Sequence, residues 1–359
     1  MNQKVGIILV NYKDYARQYL QVCRDSLYNQ AYPKELVNIY IVDNASSPES
    51  DNYLRTIFPE AKILPRLDGN YTAANNLGCQ CAIADGCEYL VLVNMDTEMA
   101  VNWLNELIMG LTSEPNVGIA QSKILLCPSS GLSLANKESN LRINSLGNVI
   151  NFLGFGYTSA YGQPDRELTG YPEIKGYASG CSLAIKKEVF LKVGGYNEEY
   201  YMYHDDLEIS LKVRLAGYKI ILAPQSIIYH KYQFSRSIKM IYYMERNRYL
   251  TLAIFYPFRL LWLIALPGLI MDIGLLFFSI VKGWFKEERQ VYGYFCQRAN
   301  YNKIIKERQK IKTWQVVPFL QIAQDFSGKI EFQEIANPIL KYLVNPIFNF
   351  YWQFIKKFI

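Results

Sequence analysis

Three short apolar runs, Val5 to Val10, Ile39 to Val42 and Leu90 to Val93, each stop abruptly at a polar or acidic cluster. The clusters are Asn11-Tyr12, Asp43-Asn44 and Asn94 through Glu98. Runs of this length and β-branched content suit strands buried on both faces, as in parallel sheets covered by helices. A stripe of Tyr15, Tyr19, Leu20, Cys23 and Leu27 at helical spacing separates the first two. The alternation predicts an α/β fold, a Rossmann-like, mostly parallel sheet flanked by helices. Ligands of such sheets bind beyond the carboxyl ends of the strands, so the three clusters mark one expected site. Asp96 is the first candidate metal ligand there. A competing role for Asp96 and Thr97 is to cap the helix that carries Trp103, Leu104 and Leu107.

Further along, Ile63-Leu64 predicts a short strand, and Asp68 to Gly78 a loop entering a helix. That loop holds neither GxGxxG nor GxxxxGK[ST], so no dinucleotide fingerprint or P-loop is present. A strand is expected over Val117 to Leu126, followed by extended loops with short strands to about Lys175. Ser182 to Ile185 reads as a strand and Lys187 to Val193 as a helix closed by Gly194 and Gly195. Asp206 to Ala216 reads as a helix closed by Gly217, and Lys219 to Leu222 as a further strand. Asp205, Asp206 and Glu208 open the second of those helices. Acids there suit the helix dipole, by roughly 0.3 to 1 kcal/mol each. Three acids beside His204 exceed what capping needs, and crowded carboxylates raise one another's pKa, as a general base requires. His230, one of two histidines, ends a strand-like run and is a candidate metal ligand beside carboxylates.

Seven cysteines without a CxxC pair indicate neither a disulfide framework nor a zinc site, and a reducing cytosol is expected. The apolar run of the N-terminus is too short for a secretory signal. Charge is divided unevenly. Residues 1 to 230 hold 19 Lys/Arg against 24 Asp/Glu, whereas 231 to 359 hold 19 against 8. The second part therefore asks for an anionic partner, and its apolar runs favour a phospholipid surface over nucleic acid.

Taken in order, VNY, VDNAS, GNYTAANNLG, NMDT, SGCSLAI, VGGYNEEYYMYHDDLEISLKVRLAG and the final YH resemble family 2 of the glycosyltransferases. These are inverting enzymes of the GT-A fold, and the chain is most similar to rhamnosyltransferase-like and galactofuranosyltransferase-like members over Val5 to Arg248. The resemblance implies a nucleotide-diphosphate sugar donor, of UDP or dTDP type, with Mn²⁺ or Mg²⁺ on its diphosphate. It implies that Asp43 reads the base, that the loop around Asn70 and Asn76 lies along the nucleotide sugar, and that Asn11 and Tyr12 belong to the same binding site. Asp96 would bind the metal, with His230 completing its site. Asn94 stands where the first acid of a DXD motif is usual, and Asp205-Asp206 where Glu-Asp is common. Asp206, or Asp205 beside it, would be the base, with Glu208 orienting or binding the acceptor.

The chemistry agrees with that assignment. A departing diphosphate needs a hard cation held by few protein ligands, and an acceptor hydroxyl needs a carboxylate to take its proton. A lipid-linked or oligosaccharide acceptor in cell-surface glycan synthesis is expected, with no nucleic-acid partner. The competing reading is a non-catalytic, membrane-tethered nucleotide-sugar-binding protein with a degenerate GT-A domain. Residues 1–235 are expected to form the catalytic domain and 236–359 a helical, membrane-associated region. Leu260 to Val281 is long enough to span a bilayer, but Asp272 and the Pro267-Gly268 pair predict two short helices lying in or dipping into the cytoplasmic leaflet. Trp352, Phe354 and Phe358 with Lys356 and Lys357 predict a second interfacial segment over about 335–359.

Overall fold

The computed structural model describes residues 3–127, 141–231, 240–331 and 338–359. The expected domain boundary after residue 235, residues 128–140 of the long loop passage and residues 335–337 of the terminal segment lie outside the described residues. The chain forms two compact units. Among the described residues the first comprises 3–127, 141–148, 158–213 and 218–231, and the second 149–157, 214–217, 240–331 and 338–359.

In chain order the elements up to residue 230 begin with β1 (Val5–Tyr12), α1 (Tyr15–Tyr28), β2 (Val37–Asn44), α2 (Pro48–Ile57), β3 (Lys62–Arg66) and α3 (Tyr71–Ala84). Next come β4 (Tyr89–Val93), β5 (Thr97–Met99), α4 (Trp103–Leu111), β6 (Val117–Leu126), β7 (Ile143–Ser145), β8 (Asn148–Ile150) and β9 (Gly156–Thr158). The series closes with β10 (Ser182–Lys186), α5 (Lys187–Val193), α6 (Asp205–Leu215) and β11 (Lys219–His230). A nine-stranded sheet runs β3-β2-β1-β4-β10-β6-β11-β5, with β7 on β6. Its first four strands are parallel, in the register Val5↔Val37 and Val5↔Tyr89. Beyond them it is mixed: β10 lies antiparallel to β4 and β6, β11 parallel to β6, and β5 antiparallel to β11.

The apolar runs sit where their composition predicts, with Ile7, Leu9, Ile41, Leu90 and Val91 fully or almost fully buried. Helix α3 lies close against β1 because both contribute glycine. A Cβ on Gly78 would come 2.6 Å from Ile8, and one on Gly6 would come 2.5 Å from Ala82. The strand expected at Lys219 to Leu222 continues to His230, absorbing the SIIYH run. Its pairing with β6 shifts register between Ala223 and Ile227, so Pro224 falls where no ladder bond needs its missing N–H. Helix α4 begins after Asn102, with β5 between it and Asp96, so Asp96 and Thr97 do not cap it.

The second unit is helical: α7 (Ile241–Phe255), α8 (Phe258–Lys282), α9 (Phe285–Phe295), α10 (Arg298–Trp314), α11 (Phe319–Ala323) and α12 (Asn345–Ile355), the last entered through a π-helical stretch, Leu340–Val344. Trp352 of α12 anchors its core, stacking on Phe152 at 5.0 Å and donating to the Phe326 carbonyl at 2.8 Å.

One expectation is corrected here. The apolar segment is not two short helices but one, α8, with Pro267 inside it. Proline removes the N–H that would bond the carbonyl four residues back, that of Leu263. Tyr351 of α12 donates its hydroxyl to that carbonyl, so the helix continues without an orphaned acceptor. Asp272, which also argued against one helix, is held by Arg248 of α7 at 3.0 Å, and Arg248 also bonds Glu245 at 2.9 Å.

Candidate active site

Three strand ends and one helix start build the site, all in the first unit. The turn after β4 is closed by the Thr97 hydroxyl, which donates to the Asn94 carbonyl at 2.6 Å. Immediately beyond it, β5 pairs antiparallel with the end of β11, setting Thr97 opposite His230. This pairing brings Asp96 and His230 together from positions more than a hundred residues apart: Nε2 of His230 lies 3.4 Å from Oδ1 of Asp96. The other ring nitrogen, Nδ1, lies 3.0 Å from Oδ1 of Asn144 on β7. Burial works against a charge on His230, but Cys181 and Asp96 favour it and push the imidazole up to about 10. Burial also pushes the Cys181 thiol up.

Gly180 and Cys181, entering β10, connect this pair to the acids of α6. The Cys181 carbonyl accepts from the Asn94 backbone N–H at 3.0 Å, and its thiol hydrogen-bonds His230. The Gly180 N–H donates to Oδ2 of Asp206 at 3.2 Å, and the Leu207 N–H to Oδ1 at 2.8 Å. Both acids titrate above the ordinary carboxylate range. Burial raises Asp205 first and the charge of Asp206 raises it further, against backbone N–H bonds from itself and Tyr203; burial raises Asp206 too, against the N–H groups of Gly180, Leu207 and its own residue. Three non-glycine residues just before them, Tyr201, Tyr203 and His204, have left-handed φ of 65°, 63° and 58°. Such backbone costs of order 1 to 3 kcal/mol per residue and persists only where its surroundings impose it. Here the Tyr201 carbonyl accepts from the N–H groups of Tyr71 and Thr72 at 2.9 and 3.2 Å, tying the loop to the start of α3.

The remaining expected residues are distributed unevenly. Asn11 donates to Asp43 Oδ1 at 2.7 Å and accepts from the Ala16 N–H at 2.9 Å, joining β1, β2 and α1. Asp43 has no solvent exposure, and its second oxygen accepts from the Ser50 hydroxyl at 2.5 Å. Tyr12, at the same strand end, is exposed. Asn70 caps α3, accepting from the Ala73 N–H at 3.1 Å while donating to the Glu198 carbonyl at 3.0 Å. Asn76 clasps the next turn, donating to the Tyr196 carbonyl at 2.9 Å and accepting from the Tyr196 N–H at 2.9 Å. Asn94 accepts from the Tyr71 hydroxyl at 3.2 Å. Glu208 is 1% exposed and pairs with Lys212 at 2.6 Å.

A carboxylate oxygen and an imidazole nitrogen at this separation can serve as neighbouring ligands of one Mn²⁺ or Mg²⁺, for which adjacent donors stand about 3 Å apart. Among the described residues no group of three His, Cys, Asp or Glu could hold a metal. Two protein donors suit an ion that arrives with phosphate and water as its other ligands, and do not suit a resident structural ion. Asn144, Tyr71, Gly180 and Cys181 are the site residues to which sequence reasoning gave no role. GNYT and SGCS drew notice as motifs, so Tyr71, Gly180 and Cys181 carried a signal; Asn144, in a passage expected to be loop, carried none.

Comparison with known proteins agrees with this architecture. The family model described as Glycosyl transferase family 2 matches residues 6–187. An uncharacterized protein, y4gI of Sinorhizobium fredii, is 33% identical over 178 residues, covering 46% of this chain and 17% of that protein. The O-antigen biosynthesis protein RfbC of Myxococcus xanthus is 25% identical over 268 residues, covering 71% and 19%. The N-acetylglucosaminyl-diphospho-decaprenol L-rhamnosyltransferase of Mycobacterium tuberculosis is 23% identical over 210 residues, covering 54% and 67%. The chain spans less than a fifth of the length of the first two relatives. Among solved structures, that of GalNAc-T7 with UDP, GalNAc and Mn²⁺ is similar with a TM-score of 0.55 at 16% identity, covering 71% of this chain and 48% of that one. At that identity the likeness shows a shared GT-A fold.

Proposed function

The chain belongs to glycosyl transferase family 2, and from that premise we propose that it transfers a sugar, rhamnose or another hexose, from a UDP- or dTDP-type donor to a hydroxyl of a lipid-linked or polysaccharide acceptor, with inversion. The observation that carries this reading is the convergence of Asp96 and His230 at 3.4 Å, joined through Gly180-Cys181 to a buried aspartate pair. The rhamnosyltransferase and O-antigen relatives support a role in cell-surface glycan synthesis.

A divalent ion held by Asp96 and His230 would supply positive charge to the departing diphosphate. Asp206 accepts the proton of the acceptor hydroxyl as that oxygen bonds the anomeric carbon and the bond from that carbon to the donor phosphate breaks. The N–H groups of Gly180 and Leu207 aim its carboxylate and keep it ionised. Burial and the neighbouring charge raise Asp205 beside it. One displacement inverts the anomeric centre, and no glycosyl-enzyme forms.

The second unit supports a position on the cytoplasmic face of a membrane, in its plane. Helix α8 is long and apolar enough to cross a membrane, and Phe258, Trp262, Leu266, Ile273, Phe277 and Ile280 form an exposed stripe along one side of it. At the edge of that stripe lies Asp272, bound to Arg248. A crossing would carry that pair into hydrocarbon, where each charge costs about 2.5 to 3.5 kcal/mol near a helix centre.

Donor hydrolysis and transfer across a panel of UDP, dTDP and GDP sugars, with and without Mn²⁺, test the function. Turnover of one donor that requires metal and is lost in Asp96→Ala, with the variant still folded, is the expected result. Near-normal turnover of that variant removes the metal assignment, and inactivity of the native protein on every donor favours the binding-protein reading.

A further inference from the structure

We propose that Asn144 is a positioning residue of the metal site: it fixes the His230 ring so that Nε2 faces the ion held with Asp96. The inference rests on the metal reading of Asp96 and His230 and adds to it a residue of a separate strand.

The strand β7 pairs with β6 through Ser145 opposite Ile124 and Ile143 opposite Leu125, so Asn144 is the extra residue of a bulge. A bulge frees one residue from the ladder and re-aims its side chain, and bulges are over-represented beside active sites. Here the re-aimed side chain is buried, and its Oδ1 lies 3.0 Å from Nδ1 of His230. The imidazole is therefore bracketed by an amide oxygen on Nδ1 and the Asp96 carboxylate on Nε2. An oxygen acceptor on Nδ1 requires the proton there. This leaves Nε2 as the nitrogen that faces the Asp96 carboxylate, 3.4 Å away, where a proton or a metal cation can be held between them. Metal-ligating histidines donate their second N–H to such a partner, and removal of the partner typically weakens metal binding about 10- to 100-fold. The Cys181 thiol also contacts the ring, but a thiol is a weak hydrogen-bond partner beside an amide oxygen.

Asn144→Leu keeps the size of the side chain and removes the oxygen, whereas Asn144→Asp keeps the oxygen. Binding of Mn²⁺, alone and with UDP, is followed through the EPR signal of the free ion, with thermal melts showing that both variants remain folded. The Mn²⁺ dissociation constant should rise about 10- to 100-fold in Asn144→Leu and stay within about threefold in Asn144→Asp. In ¹⁵N-histidine NMR of the metal-free protein only His204 and His230 contribute. A hydrogen-bonded Hδ1 resonance of His230 should be protected from exchange in the native protein and in Asn144→Asp, and lost in Asn144→Leu. Unchanged Mn²⁺ binding in Asn144→Leu while Asp96→Asn abolishes it overturns this inference and leaves the metal reading standing. Lack of a protected Hδ1 in the native protein also overturns it, because the Asn144 amide would then face His230 with its nitrogen. Lack of Mn²⁺ binding by the native protein removes the metal reading and this inference together.

Discussion

Asp205 and Asp206 differ by one position in the chain and by what their carboxyls touch. Adjacent residues on a helix diverge by about 100°, so only one of them can face an acceptor. Both are buried and both accept backbone N–H bonds, but Asp206 takes one of its own from Gly180 beside β10, which is the ground for proposing it as the base. Asp206→Asn should lower turnover by roughly 10² or more with donor affinity largely kept, because the shape stays and the basicity goes. The base must be ionised, so the activity of the native protein should rise with pH through a value above the ordinary aspartate range of about 4, and Asp206→Asn should lose that limb. Normal turnover by Asp206→Asn with a dead Asp205→Asn would move the base back one residue. The run HDDLE marked this neighbourhood in the sequence. That Asp206 meets the amide of Gly180, a residue of another element, is something no local pattern announces. Glu208 illustrates the same limit: its partner Lys212 stands one helical turn away in the sequence, but its enclosure depends on the loop packed over it.

Among the elements, α3 shows how a polar motif can serve two purposes. GNYTAANNLG suggested a loop along the nucleotide sugar, and in the fold Asn70 caps the helix while Asn76 clasps the 196–198 turn. Asn70→Ala should cost about 1 kcal/mol in urea unfolding. Asn70→Ser retains a capping oxygen and should restore most of that loss without altering donor binding. Weakened donor binding in Asn70→Ser at full stability would instead show that the amide contacts the donor. Helix α8 departs from expectation for a reason outside its own sequence. Pro267 ordinarily breaks a helix, and Tyr351, 84 positions later, repairs it by satisfying the Leu263 carbonyl. A strand such as β4 is legible because its buried run determines it locally; the continuity of α8 depends on a partner far along the chain.

For the whole molecule, the proposed membrane position rests on the basic second part and on the exposed stripes of α8 and of α12, where Ile347, Phe350 and Phe354 are exposed. Full-length protein should float with phosphatidylcholine/phosphatidylglycerol vesicles, and high salt should weaken attachment only in part, because apolar burial contributes beside charge. Phe277→Asp with Phe350→Asp should release it. Protein that stays at the bottom of the gradient with native stripes would exclude this attachment. By itself the sequence determined the layered α/β architecture, the strand ends that carry Asn11, Asp43 and Asn94, and the family. Burial on both faces of a strand and helical spacing are recorded in neighbouring residues, and the ordered motifs pointed to the family. Only the tertiary structure decided that β5 turns back against β11 to bring Asp96 to His230, that a bulge carries Asn144 to the same ring, and that Arg248 neutralises Asp272. Each of these depends on groups distant in sequence meeting at hydrogen-bond range, a register set by the packed sheet and helices and not by the residues on either side.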